Sequence, residues 1–165
     1  MSKVIFPGTF DPIHLGHVDI ARRASVLFDE VVVAVYDKPA KQLTFSPEER
    51  VEQVRIAFRD IPNITVIGYS GLTVKLATEL GARAIIRGLR VFSDFETEFR
   101  IALANQRLEP AIGTIAFITN EENSFVSSTI VKEIASLGGD VTSMVPRHVA
   151  KALVRKYTGH KDTAA

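Results

Sequence analysis

At 165 residues the chain is long enough for one domain with a substantial core and short for two. Twenty basic against nineteen acidic residues leave a formal charge of +1, so neither nucleic acid nor an anionic membrane is expected as a partner. Cysteine is absent, which excludes disulfides, thiolate catalysis and cysteine-bound zinc.

The N-terminal segment lacks a signal-peptide pattern, since Lys3 precedes only Val4-Ile5-Phe6 before Pro7. No apolar run approaches the roughly 18 residues of a membrane span, so a soluble, cytoplasmic protein is expected. Val4–Phe6 reads as a strand that ends in Pro7-Gly8-Thr9-Phe10-Asp11-Pro12-Ile13-His14-Leu15-Gly16-His17. A helix is expected to begin near His17, with Ile20, Ala21, Ala24, Leu27 and Phe28 on one stripe. Gly8 is read as permitting a tight turn and Gly16 as permitting close packing at the helix start. The two imidazoles then stand where an α/β protein holds phosphate, outside a strand's carboxyl end and against a helix N-terminus.

Glu30–Tyr36 is the second strand, followed by Lys38-Pro39-Ala40-Lys41, whose lysines either reach a phosphate or are simply solvated. Ser46-Pro47-Glu48-Glu49 is a capping box with proline in the first turn, and Val51, Val54 and Phe58 mark that helix's inner face. A strand at Ile64–Ile67 leads to a helix over Leu72–Leu80 that stops at Gly81. The strand Ala84–Arg87 runs into Gly88-Leu89-Arg90, where two forked guanidiniums suit phosphate or pair with Asp94 or Glu96. Ser93-Asp94-Phe95-Glu96 reads as a second capping box, ahead of a stripe of Phe95, Phe99, Ala102 and Leu103.

Thr114–Ile118 is the last strand. Asn123-Ser124-Phe125-Val126-Ser127-Ser128-Thr129 then opens a helix that ends at Gly138-Gly139, and its hydroxyls and free amides are either a plain cap or an anion nest. A final helix follows Pro146 with Val149, Leu153 and Tyr157 inward, and residues 159–165 are expected to form a frayed tail.

Short, near-continuously apolar strands alternating with helices predict an α/β fold. Its form is a Rossmann-like doubly wound, five-stranded parallel sheet with helices on both faces, in a single domain over residues 1–158. The phosphate-type segments follow strands one, two, four and five, the edge where such sheets bind ligands. Each has an ordinary reading by itself; together they describe a polyphosphate site. No P-loop or G-x-G-x-x-G is present, and zinc at His14 and His17 lacks a third ligand.

The constellation resembles the bacterial phosphopantetheine adenylyltransferases, nucleotidyltransferases marked by [TH]-x-G-H. The likeness runs from Lys3 to Tyr157 and is carried by five segments: Phe6–Pro12, His14-Leu15-Gly16-His17, Ile86–Arg90, Asp94-Phe95-Glu96 and Ser127–Glu133. It implies transfer of AMP from ATP to 4'-phosphopantetheine, giving dephospho-coenzyme A and pyrophosphate, with Mg²⁺ as cofactor and a homohexamer as assembly. By resemblance, His17, Lys41, Thr9 and Arg90 are catalytic. The resemblance also gives ATP to Gly8, Thr9, Phe10, His17, Gly88, Arg90, Glu98, Val126, Ser127, Ser128 and Thr129. The acceptor falls to Thr9, Lys41, Leu72, Thr73, Arg87, Asn105 and Glu133.

Thr97 and Asn123 stand where relatives often carry an aromatic residue, so contacts made by those rings are expected to differ. An acceptor phosphate is largely dianionic at neutral pH, its second pKa being about 6, so alignment and charge neutralisation are required more than a base. The alternatives are another small nucleotidyltransferase, such as one using nicotinamide mononucleotide or CTP, and a non-catalytic nucleotide sensor.

Overall fold

The computed structural model describes residues 1–39 and 42–159. Lys41 and residues 160–165 of the expected tail lie outside the described residues. Five strands, β1 (Lys3–Gly8), β2 (Glu30–Tyr36), β3 (Ile64–Tyr69), β4 (Ala84–Leu89) and β5 (Gly113–Ile118), form one sheet in the order β3-β2-β1-β4-β5. All four pairings are parallel. The helices are α1 (Leu15–Leu27), α2 (Pro47–Phe58), α3 (Thr73–Glu79), α4 (Phe92–Leu108), α5 (Ser128–Ser136) and α6 (Arg147–Thr158). The sheet and its two covered faces are those of the doubly wound fold expected from the strand–helix alternation.

Successive residues of a strand point to opposite faces, and the core divides accordingly. Val4, Phe6, Val31, Val33, Val35 and Ile86 belong to one large cluster, which also takes in residues of α1, α2, α5 and α6. Ile5, Val32 and Ile85 belong to a smaller cluster with Val74 and Ala77 of α3. Strands buried on both sides must be apolar at nearly every position, which is why β1, β2 and β4 read so clearly.

The strand order reverses between β1 and β4, and there the pairing is short. Only Val4↔Ala84 and Ile5↔Ile85 are in register, whereas β1 and β2 pair from Lys3↔Glu30 to Gly8↔Val35. Beyond Ile5 and Ile85 the two central strands part, and a cleft opens at their carboxyl ends. This is the switch point at which doubly wound sheets bind ligands.

Several local expectations are corrected. The first helix begins at Leu15 rather than near His17, because His14 caps it, and Leu27 of the expected stripe is exposed. The Ser93 capping box does not form: α4 starts at Phe92 with no side-chain cap, and the Asp94 carboxylate is taken by Arg90. The stripe Phe95, Phe99 and Leu103 is about half exposed rather than covered by this chain. Val54 and Phe58 of α2 are buried as its period implies, and Arg50 and Gln53 are buried beside them.

Candidate active site

The β1–α1 turn supplies one wall of the cleft. His14 is the N-cap of α1, and its Nδ1 accepts from the backbone N–H of Gly16 at 3.1 Å and of His17 at 3.4 Å. His17 Nδ1 in turn accepts from the His14 N–H at 3.1 Å, a capping box written in two histidines. The rings stack with centroids 3.6 Å apart. Since each Nδ1 is an acceptor, the proton of each neutral ring sits on Nε2.

Neutrality is enforced by the surroundings. Burial, then the charge of Arg90, lowers the His14 pKa from 6.5 to about 3. Burial, then His14, Arg90 and Arg87, holds His17 well below its ordinary 6.5. His17 therefore lines the cleft as a neutral N–H donor of fixed tautomer. His14, whose function the sequence left open, sets that orientation.

Gly8 does not have a positive φ. The residue with φ of +51° is Phe10, whose ring packs edge-on against His17 at 4.8 Å. Gly8 is required for another reason: a Cβ there would stand 3.0 Å from two atoms of the Phe10 ring. At Gly16 a Cβ would meet His14 Cε1 at 2.9 Å, so that glycine does allow the close packing expected of it. Arg50 of α2, with no exposed surface, donates to the carbonyl oxygens of Thr9 at 2.8 Å and Tyr36 at 2.6 Å, fixing the ends of β1 and β2.

β4 supplies the opposite wall. Arg87 makes a bidentate pair with Glu98 of α4, Nε to Oε2 at 2.6 Å and Nη2 to Oε1 at 2.7 Å, and Nη1 donates to the Pro7 carbonyl at 3.3 Å. Two residues that resemblance assigned to different substrates thus form one oriented unit. Arg90 pairs with Asp94 at 3.1 Å and donates to the Val126 carbonyl at 3.3 Å. Both ion pairs border a cleft of about 330 Å³, and Glu96 instead pairs with Arg100 outside it. At Gly88 a side chain would collide with Ile20 of α1.

The N-terminus of α5 closes the site. Ser127 caps it by accepting from the Ile130 N–H at 3.2 Å, and the Ser128 hydroxyl donates to the Pro12 carbonyl at 2.8 Å. Thr9, Ser127, Ser128 and Thr129 all line the cleft. Sequence reasoning missed Thr119, which also lines it; its hydroxyl is buried with no partner among the described residues. Its position one residue past β5, on the ligand edge, was the available signal.

Asp11 belongs to the β1–α1 turn. It is buried, accepting from the N–H of Thr44 at 3.0 Å and Phe45 at 2.9 Å and from Lys132 Nζ at 2.8 Å.

Five assigned positions fall outside the cleft lining: Leu72, Thr73, Asn105, Glu133 and Val126, whose side chain is buried in the core. Leu72 is exposed at the start of α3, the Thr73 hydroxyl bonds that of Tyr69 at 2.9 Å, and Glu133 is exposed on α5. Asn105 lies on the half-buried side of α4. Among the described residues no three or more His, Asp or Glu side chains cluster to hold a metal.

The cytidylyltransferase-like family model matches residues 5–134. A phosphopantetheine adenylyltransferase of Roseiflexus sp. (strain RS-1) is 49% identical over 157 residues, covering 95% of this chain and 98% of that protein. The phosphopantetheine adenylyltransferase of Herpetosiphon aurantiacus is 43% identical over 165 residues and covers 100% of both. A crystal structure of a candidate nicotinate-nucleotide adenylyltransferase from Vibrio parahaemolyticus shares the fold, with a TM-score of 0.71 at 20% identity over 93% of this chain and 99% of that one. A cleft at the β1/β4 switch point, built on His-x-x-His and two arginines, together with near-full-length likeness, places the chain in the cytidylyltransferase-like family and, within it, among the phosphopantetheine adenylyltransferases.

Proposed function

We propose that the protein transfers the adenylyl group of ATP to the phosphate of 4'-phosphopantetheine, giving dephospho-coenzyme A and pyrophosphate. The observation that carries this reading is the neutral, Nε2-protonated His17, which lines one cleft together with Thr9 and the two arginine pairs. An acceptor phosphate oxygen attacks the α-phosphorus of ATP, and the bond to the β-phosphate oxygen breaks as pyrophosphate leaves. No proton has to be removed from a dianionic acceptor, so the chain's task is placement and charge neutralisation. His17 Nε2–H donates to the transferring phosphoryl group, and Thr9 orients the attacking phosphate. Arg90 and the α5 amides receive the nucleotide phosphates at a helix N-terminus. Arg87, aimed by Glu98, receives the acceptor phosphate.

The acidic residues at the cleft, Asp94 and Glu98, are both engaged by arginine, so the described residues offer no preformed cage for a resident metal. Mg²⁺ enters as part of the substrate, carried on the triphosphate oxygens. Lys41 is assigned to the phosphates by resemblance alone. A homohexamer is assigned by resemblance, and the exposed apolar side of α4 supports self-association. No helix among the described residues is long and apolar enough to cross a membrane, and a cytoplasmic setting accords with that.

The test is pyrophosphate release from a panel of acceptors with ATP or CTP and Mg²⁺. Turnover with ATP and phosphopantetheine is expected. Release with nicotinamide mononucleotide in place of phosphopantetheine would overturn the acceptor assignment, and nucleotide binding without release from any acceptor would make the protein a sensor.

A further inference from the structure

Asp11 and Lys132 form the only ion pair among the described residues in which one side chain is essentially sealed from water, at 1% exposure against 20% for its partner. Neither residue lines the cleft. The Asp11 oxygens are otherwise occupied by the Thr44 and Phe45 amides, so the carboxylate joins three segments: the β1–α1 turn, the approach to α2, and α5.

The placement of Lys132 gives the pair a further meaning. It lies four residues after Ser128, so the two share a face of α5. Ser128 donates to the Pro12 carbonyl and Lys132 to Asp11, the adjacent residue. One face of α5 is therefore fastened at two points to the turn that carries Thr9 and His17. The first turn of the same helix presents Ser127, Ser128 and Thr129 to the cleft. Moving the α5 N-terminus relative to Thr9 and His17 requires breaking both struts.

We propose that Lys132, through Asp11, is a positioning residue for the transfer step, holding the nucleotide-side helix in register with the acceptor-side turn. The inference rests on the adenylyl-transfer reading. A closed ion pair suits this role because its charges cancel and it adds no net charge beside the polyphosphate. Such a pair is weak as a source of stability, since a neutral pair of similar shape can replace it, but it is geometrically exacting. In-line transfer is sensitive to that geometry, and a misplacement of about 1 Å lowers turnover on the order of 10²-fold.

The test compares Lys132→Met, Lys132→Arg and the double variant Asp11→Asn/Lys132→Met in the full chain. Asparagine still accepts from the Thr44 and Phe45 amides, so the double variant removes the charges without leaving one buried alone. For each variant, kcat and KM, thermal stability, and ATP affinity by calorimetry are measured. Lys132→Met is expected to lower kcat roughly 30-fold or more, with both KM values changed less than about threefold. The arginine variant is expected to recover most of the loss. The double variant is expected to regain the wild-type melting temperature without regaining kcat, and to bind ATP as the wild type does.

A double variant that recovers turnover together with stability would show a purely structural pair and overturn the proposal. So would a loss confined to KM. Should Lys132→Met not fold, the double variant decides alone. Absence of turnover in the wild type would overturn the adenylyl-transfer reading instead, and the two failures are therefore distinguishable.

Discussion

At the scale of single residues, the histidine pair shows how one motif serves two ends. Each ring uses Nδ1 to satisfy the helix N-terminus, which leaves Nε2–H as the free donor. Replacing His17 with alanine removes the donor proposed for the transferring group but few of the groups proposed to bind nucleotide. A loss of roughly 10²–10³-fold in kcat with a nearly unchanged KM for ATP is expected in steady-state assays. The depressed pKa values also predict how stability depends on pH. The folded His14 has a pKa of about 3, below its ordinary 6.5, so between those values the unfolded chain binds a proton that the folded chain refuses. Stability is thus full above pH 6.5 and declines as the pH falls toward 3, with His14 accounting for a loss of about 2 kcal/mol at pH 5. His14→Asn keeps a capping oxygen and removes one titration. Its melting temperature should fall less between pH 7 and pH 5 than that of the wild type, and an unchanged slope would contradict the assignment.

At the scale of elements, the clamp formed by Arg50 links a helix to two strand ends. Its guanidinium donates to carbonyls of Thr9, Tyr36, Asp37 and Phe45, which no single ammonium can span. Arg50→Lys should destabilise the fold by about 2–4 kcal/mol in urea unfolding, because buried carbonyls lose their partners. A change under 1 kcal/mol would mean that water replaces the clamp. Nothing in the sequence announced this residue, since Pro47-Glu48-Glu49-Arg50 reads as an ordinary charged helix start. The same contrast runs through the chain. The five strands were legible because burial on both faces leaves a local record in apolar runs. The cleft walls near Gly8, Arg87 and Ser127 were legible because glycine, arginine and hydroxyl residues gather at strand ends and helix starts on one edge of the sheet. Long-range polar contacts leave no such record. Asp11 meets Lys132 across 121 positions, and Arg87 meets Glu98 only once β4 and α4 have packed. Ser93-Asp94-Phe95-Glu96 carried a valid capping pattern, yet α4 starts at Phe92, which places Ser93 inside the helix, and Glu96 pairs with Arg100.

At the scale of the whole molecule, α4 stands apart from the other helices. It is 17 residues long, and none of its described side chains is fully buried. Phe95 and Phe99 stack on each other 5.7 Å apart while remaining about half exposed, and Leu103 continues the stripe one turn on. Apolar residues at intervals of four on one face of a helix are the pattern of a buried surface, and here the described residues cover only about half of it. The homohexamer proposed for the protein would supply it from neighbouring copies. The N-terminal half of α4 also carries Asp94 and Glu98, the partners of both cleft arginines. An assembly that braces α4 would therefore also hold Arg87 and Arg90 in place. Light scattering should give a particle of six times the 18.1 kDa protomer mass for the wild type. Phe95→Ser combined with Phe99→Ser should give a smaller particle, and its kcat/KM should fall as it dissociates. A double variant that kept the wild-type mass would show that the α4 face is not the contact. A smaller particle with unchanged kcat/KM would separate assembly from catalysis and leave Arg87 and Arg90 held by their carboxylate partners alone.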